Sequence, residues 1–308
     1  MRRIHIIGFG SQGSAWAECL KASGWQVEVY LNRREGRSFE KAYALGYAPR
    51  LMPELPLELA KNPQNPALIA MLCPDHLIAP LYAEYIAQAK TPLTLVLAHG
   101  YAVYAGELTT LSSGHNVALL APKAIGPKLL AAHQNTRPNA HHLVAAFAVP
   151  VQFDDVRALA HGLGFSDENL VTATFEQEAV GDLISEQALL CGGVFTLLEM
   201  TMQNMARAGV PDRLIREECL TELELIAGML RERGPAVTLT SISQAAQAGT
   251  IAMRERLLKL GLQKVVDDAA DDVIEKRFVT FMRKAPWRDE VKKLNERLTQ
   301  WDERLNKK

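Results

Sequence analysis

The sequence predicts an α/β domain on a doubly wound parallel sheet, followed by an all-helical domain. Three observations carry that reading. Short apolar runs recur at residues 4–7, 27–31, 67–73, 93–98, 117–121, 143–149 and 170–174, continuous rather than alternating, as strands buried on both faces are. Helix-compatible stretches separate them, so the connections are crossovers and the strands parallel. Beyond Phe175 the strand signal stops, and helical patterns cover about 176–209, 211–234 and several segments to residue 308. The length of 308 residues, at roughly 150 residues per domain, fits two domains, placed at 1–172 and 173–308. No low-complexity linker marks the junction, and a cleft between packed domains is the default place for a ligand.

Composition narrows the function classes. Apolar residues make up 48% of the chain, enough for a sizeable core, and 34 Lys plus Arg against 35 Asp plus Glu leave a net charge of −1. Counterion-driven nucleic-acid binding needs a basic excess, so no nucleic-acid partner is expected. No uninterrupted apolar run approaches the ~20 residues of a membrane span, and the run at 4–7 is too short for a signal-peptide core. The expectation is a cytoplasmic protein with no membrane attachment. Cys19, Cys73, Cys191 and Cys219 lie far apart without C-x-x-C spacing, which predicts reduced, packed thiols.

The first run leads into Gly8-Phe9-Gly10-Ser11-Gln12-Gly13, a G-x-G-x-x-G that opens a helix-compatible stretch. In that context the first glycine permits the tight turn, the second admits a pyrophosphate to the backbone, and the third lets helix and strand pack closely. Donors at the helix N-terminus then face the phosphates. This is the fingerprint of a Rossmann-type dinucleotide domain. The second run ends in Leu31-Asn32-Arg33-Arg34-Glu35-Gly36-Arg37-Ser38, where an NAD reader would carry an acid for the ribose hydroxyl. Arg33, Arg34, Arg37 and Ser38 suit a 2′-phosphate instead, so NADP(H) is the expected cofactor. The alternative is an ordinary solvated loop, which Glu35 would fit. Asp75 and Gly126 complete the expected cofactor-binding set.

His99 follows the run at 93–98, and Lys123 follows the run at 117–121. The carboxyl ends of parallel strands line the ligand crevice, so both are catalytic candidates, and His99 is a better one than the histidines in polar or loop-like contexts.

Two acid pairs stand out in the helical half, Asp182-x-x-x-Glu186 and Glu218-x-x-x-Glu222. Residues four apart share a helix face. Stepping about 100° per residue puts Glu218 and Glu222 inside the apolar arc of Leu214, Ile215, Cys219, Leu225, Ile226, Met229 and Leu230. Asp182 and Glu186 fall on the wide arc of Leu183, Leu189, Leu190, Val194, Leu197, Leu198 and Met200. Acids on buried faces are costly unless compensated, and neither arc carries a Lys or Arg. All-oxygen ligation of Mg²⁺ or Mn²⁺ explains the pattern, and a pair of ions could clamp an oxygen-rich substrate. Carboxylates at a rim, or paired with Arg from elsewhere, are the structural alternative. The denser run Asp267-Asp268-Ala269-Ala270-Asp271-Asp272 reads as a solvated face or first helical turn. Near the end, Trp287, Val291, Leu294, Leu298, Trp301 and Leu305 keep four-three spacing, a seam for packing on the same domain or on a sister subunit.

These residues converge on a resemblance. Gly8 to Gly13, Leu97-Ala98-His99-Gly100, Ala121-Pro122-Lys123, Asp182-x-x-x-Glu186-Gln187-x-x-x-Cys191-Gly192-Gly193, Glu218-Cys219-Leu220-x-Glu222-Leu223 and Ser241-Ile242-Ser243 resemble, in order and approximate spacing, the short form of ketol-acid reductoisomerase, over residues 1 to about 250. The resemblance implies conversion of 2-acetolactate-type 2-hydroxy-3-keto acids to 2,3-dihydroxy acids in branched-chain amino-acid synthesis, with NADPH and two Mg²⁺. It implies that Asp182 bridges the two ions, that Glu186 completes one site and that Glu218 and Glu222 serve the other, with Glu222 also placed for proton transfer. Ser243 would hold the substrate, and His99 and Lys123 would organise the polar side of the pocket. In the family the second glutamate pair comes from the partner subunit, which implies a homodimer with shared active sites.

The chain departs from the family where A-P-K-x-P-G-x becomes Ala121-Pro122-Lys123-Ala124-Ile125-Gly126-Pro127, in the stretch 131–142, and where N-x-A-E-Y-G becomes Gln244-Ala245-Ala246-Gln247-Ala248-Gly249. These changes bear on substrate choice more than on the chemistry. Two rival readings remain: a metal-free reductase of the hydroxyacid-dehydrogenase or imine-reductase type, in which four such acids have no role, and a non-catalytic cofactor-binding homologue.

Overall fold

A computed structural model describes residues 2–135, 143–149, 154–284 and 286–306. The chain divides into two units, Met1–Ala179 and Val180–Lys308.

The first unit is built on one eight-stranded sheet of order β3-β2-β1-β4-β5-β6-β7-β8. Its strands are β1 (Arg3–Ile7), β2 (Gln26–Leu31), β3 (Arg50–Leu51), β4 (Ala67–Met71), β5 (Leu93–Leu97), β6 (His115–Pro122), β7 (Ala145–Ala148) and β8 (Leu170–Thr172). Every predicted run forms a strand; β3, at two residues, is too short to leave a pattern. The expected parallel pairing fails at one point. β7 runs antiparallel to β6, with Leu120 opposite Phe147, and β8 runs parallel to β7. A continuous apolar run reads the same in either direction, so strand polarity is set by the connecting chain.

Pleating sends Ile4 and Ile6 into one core with Trp16, Leu20 and Phe165, and Ile7 into another with Tyr30, Ile69 and Leu95. Both faces are therefore covered, as the continuous apolar runs require. Strand order reverses at β1, which lies between β2 and β4, and the crevice of a doubly wound sheet opens at such a point. Polar residues also sit within this core. His5 of β1 is in register with Glu28 of β2, with Nδ1 3.3 Å from Oε2. The His5 ring beside it is the main reason that the Glu28 carboxyl is lowered to about 2. Buried Glu58 accepts from Arg3 (3.2 Å), Arg50 (2.8 Å) and Lys61 (2.6 Å).

The second unit is all helix. A helical stretch of 33 residues, Phe175–Arg207, is interrupted by a π turn at Glu186–Leu190 and continues as Gly192–Arg207. A second π turn, Glu217–Thr221, joins Asp212–Arg216 to Glu222–Arg233. Helices Pro235–Ser241, Gln244–Lys259, Leu262–Ile274, Arg277–Arg283 and Trp287–Leu305 follow. The expectation of no membrane-length segment holds for uninterrupted apolar runs only, because the Phe175–Arg207 stretch has the length and composition of a span despite Asp182 and Glu186.

The apolar arcs are where the sequence reading needs most correction. Ile215 and Cys219 pack with Met202, Trp301 and Leu305, but Leu214, Leu225 and Leu230 are exposed, as are Leu189, Leu190, Leu197 and Met200. Glu186, Glu218 and Glu222 are exposed and Asp182 is half-buried. One chain thus imposes little of the desolvation cost inferred for these acids. Apolar periodicity specifies a face, and nothing in it says whether the cover comes from the same chain. The C-terminal seam is split likewise: Trp301 and Leu305 are buried, whereas Val291 is exposed. Within the acidic run, Asp268 pairs with Lys264 (2.7 Å) and Asp272 with Arg277 (2.6 Å). All the cysteines are free; Cys191, expected to be packed, is exposed just beyond the first π turn.

Candidate active site

The glycine-rich turn links β1 to the helix Ser11–Ala22. Gly8 has φ of +97°, and a Cβ there would stand 2.5 Å from the Leu72 carbonyl oxygen. A Cβ on Gly13 would overlap the Gly8 carbonyl, whereas Gly10 has open space in front of it. Backbone packing thus dictates the outer two glycines, and the middle one leaves the turn open to a pyrophosphate. In front of this turn lies a cavity of about 630 Å³ lined by Gly8, Phe9 and Gly10 on one side and by Arg33, Arg37 and Ser38 on another. Arg34 does not line it, and Glu35 does. Cys73 forms part of the wall, and burial pushes its thiol up to about 12, so it presents a neutral surface there. The arrangement suits a dinucleotide with a 2′-phosphate.

At the carboxyl ends of β5 and β6 stand His99 and Lys123, brought together by the parallel pairing of those strands. The Lys123 ammonium donates to Glu178 Oε1 at 2.6 Å. The Gly100 amide donates to Glu178 Oε2 at 2.5 Å, and His99 Nε2 lies 3.8 Å from the same oxygen. On its other side His99 Nδ1 is 3.8 Å from Asp75 Oδ2, and its ring stacks on Tyr101. The Glu178 side chain is 1% exposed, against 24% for His99 and 37% for Lys123. A buried carboxylate therefore fixes the Lys123 ammonium and the Gly100 backbone at the strand ends, with the His99 ring beside it. Asp75, expected to touch cofactor, stands beside His99.

Glu178 was not legible in the sequence as a site residue. Its helix, Phe175–Ser185, begins with a capping box in which Thr174 Oγ1 accepts from the Gln177 amide (3.0 Å) and Gln177 Oε1 accepts from the Thr174 amide (2.9 Å). That box sets where the helix starts and hence where Glu178 points. The available signal was spacing, since Glu178 stands four residues before Asp182 and shares its helix face.

In the second unit, each acid pair contains a π-turn residue, Glu186 in one and Glu218 in the other. Such turns recur at functional sites. A Cβ on Gly192 would overlap the Gln187 carbonyl, and one on Gly193 would stand 2.5 Å from the Ala188 carbonyl. The Cys191-Gly192-Gly193 run is thus what the wide turn after Glu186 demands. The two pairs do not meet within a chain: among the described residues, no cluster of three or more metal-ligating side chains includes Glu186, Glu218 or Glu222. Ser243 is the N-cap of the helix Gln244–Lys259, accepting from the Ala246 amide at 3.2 Å. Gln247 donates to the Ile242 carbonyl at 2.9 Å, a bond that an ionised acid at this position could not make. Of the family departures in 124–142, residues 136–142 lie outside the described part.

Comparison with known proteins places the chain in a family. Residues 1–165 match the family model for the acetohydroxy acid isomeroreductase NADPH-binding domain, and residues 175–308 match the C-terminal domain of ketol-acid reductoisomerase. A "Ketol-acid reductoisomerase (NADP(+))" of Methanococcus maripaludis (strain C5 / ATCC BAA-1333) is 30% identical over 288 residues, covering 90% of this chain and 83% of the relative. One from Sulfurimonas denitrificans (strain ATCC 33889 / DSM 1251) is 29% identical over 296 residues, covering 90% and 81%. Among solved structures, an NADH-preferring ketol-acid reductoisomerase from an uncultured archean aligns over 100% of this chain and 91% of its own, with a TM-score of 0.76 at 24% identity. A semialdehyde dehydrogenase NAD-binding protein from Cupriavidus necator reaches 0.64 at 16% identity, covering 89% and 99%; these structural likenesses speak to fold alone. With both family models matched in order, this chain belongs to the ketol-acid reductoisomerase family, as an NADP-dependent oxidoreductase acting on a small molecule.

Proposed function

We propose that the chain converts 2-acetolactate-type 2-hydroxy-3-keto acids to 2,3-dihydroxy acids, by alkyl migration and hydride reduction, with NADPH and Mg²⁺. The observation that carries the reading is the buried Glu178, which holds Lys123 beside His99 at the carboxyl ends of β5 and β6, one helical turn before Asp182. Lys123 and His99 there offer donors to the oxygens of a bound keto acid, and Glu178 keeps the Lys123 side chain from swinging into solvent. The set Asp182, Glu186, Glu218 and Glu222 is oxygen-only, which suits Mg²⁺. Bound there, two such ions would polarise the substrate's carbonyl and hydroxyl oxygens. Ser243 is assigned to the substrate, and Glu222 also to proton transfer.

The second half of the proposal is a homodimer with shared sites. The exposed apolar residues beside Asp182 and Glu186, such as Leu189, Leu190 and Leu197, and those beside Glu218 and Glu222, such as Leu214 and Leu225, call for a cover. A second copy would supply the cover and bring one chain's Asp182 pair to the other's Glu218 pair. The test of the activity is NADPH oxidation with 2-acetolactate, with and without Mg²⁺. Turnover only with the metal is the expected result, and equal turnover after chelation would reject the metal-dependent reading.

A further inference from the structure

The loop that follows β6 rests on the glycine-rich turn. Gln12 Nε2 donates to the Ala124 carbonyl at 2.8 Å, across 112 residues of sequence. Two positions further on, a Cβ on Gly126 would overlap the Ser11 carbonyl, so the loop can sit this close only with glycine there. Gly126 opens the helix Gly126–Asn135, whose Leu129 is fully buried in the sheet's core. On the other side, the Lys123 amide donates to the Val144 carbonyl at 2.9 Å. The Lys123 backbone is therefore gripped from before by β7's approach and from behind by Gln12, while its ammonium is held by Glu178.

The state of the Gln12 amide strengthens the point. Its Oε1 is buried with no hydrogen-bond partner among the described residues. Turning the amide over would set its oxygen against the Ala124 carbonyl, so that single bond decides the orientation. A buried acceptor left unpaired is unfavourable, and the side chain tolerates this while directing its donor at the loop.

From this geometry we infer that Gln12 is a positioning residue that couples occupancy of the cofactor turn to the placement of Lys123. A nucleotide phosphate on the turn steadies Gln12 in the bond it already makes to the Ala124 carbonyl, and through that peptide it steadies Lys123 against Glu178. The inference rests on the reading of the 8–13 turn as the cofactor's seat and of Lys123 as a catalytic residue.

Amide hydrogen exchange over residues 123–126 reads the coupling without turnover. In the unmodified protein NADPH should slow exchange there. In Gln12→Met, which keeps length and loses the donor, exchange should be about tenfold faster, and saturating NADPH should no longer slow it. NADPH should still bind within about threefold of its normal affinity, while kcat falls about tenfold and KM for NADPH barely moves. Gly126→Ala, whose methyl would meet the Ser11 carbonyl, should likewise speed exchange over 123–126. Unchanged exchange in Gln12→Met would overturn the inference, and so would NADPH affinity falling in step with kcat, the mark of a plain phosphate contact. Failure of the unmodified protein to turn over 2-acetolactate would reject the proposed function instead, with the exchange result still judging the coupling.

Discussion

At the scale of single residues, two groups carry predictions. Arg33, Arg37 and Ser38 line the nucleotide cavity at the end of β2 and Arg34 does not, so the first three should set cofactor preference. NADPH should bind more tightly than NADH in fluorescence titrations. Replacing Arg33 and Ser38 with Asp should narrow or reverse the difference, and Arg34→Asp should do less. Equal affinities in the unmodified protein would reject the assignment. Glu28 supplies a pH prediction. Its carboxyl is lowered from 4.5 to about 2, mainly by the adjacent His5. A depressed folded pKa stabilises fully above the unfolded value and loses that stabilisation as pH falls through the folded one. Glu28→Gln should therefore cost on the order of 2 kcal/mol at pH 7, and the gap to the unmodified protein in thermal unfolding should shrink between pH 4.5 and about 2.

At the scale of elements, the π turns matter most. The Cys191 amide reaches back to the Glu186 carbonyl at 2.8 Å, the five-residue step of a π turn rather than the four of an α-helix. This wide turn changes the phase between Asp182 upstream and the helix Gly192–Arg207 downstream. Gly192→Ala places a methyl against the Gln187 carbonyl. The turn must then distort or close, at a cost of about 1–3 kcal/mol. The expected outcome is a lowered Tm together with weakened Mg²⁺ affinity, while NADPH binding, which belongs to the other unit, stays near normal. Unchanged metal affinity in Gly192→Ala would show that the turn does not place the acids. Ser185→Ala, at a neighbouring position outside the π turn, is the control for general helix damage.

At the scale of the whole molecule, no ligand cluster among the described residues joins the two acid pairs, and the apolar residues beside them are exposed. Sharing of sites between copies makes a distinct demand on mixed assemblies. Asp182→Asn and Glu218→Gln chains, each inactive alone, should regain part of the activity when unfolded and refolded together, because some heterodimers contain a site free of both substitutions. If each chain built its whole site, every site in the mixture would keep a lesion. Absence of recovery in heterodimers whose formation is verified would reject shared sites and leave the cofactor assignment standing.

The sequence by itself determined the strands, the nucleotide turn and the spacing of the acid pairs, because these are local: buried strands need continuous apolar runs, a tight phosphate-binding turn needs its glycines, and acids four residues apart share a helix face. His99 and Lys123 were legible for the same reason, since each stands one or two residues past a strand. The tertiary structure decided what depends on distant partners. The reversal of β7 is set by the route of the chain and not by burial. Glu178 joined the site because a capping box and the pairing of β5 with β6 bring it to Lys123 and Gly100 from 55 and 78 residues away. Exposure of the apolar arcs was beyond the sequence because a hydrophobic face specifies that it must be covered, and only three-dimensional packing shows whether the chain covers it itself.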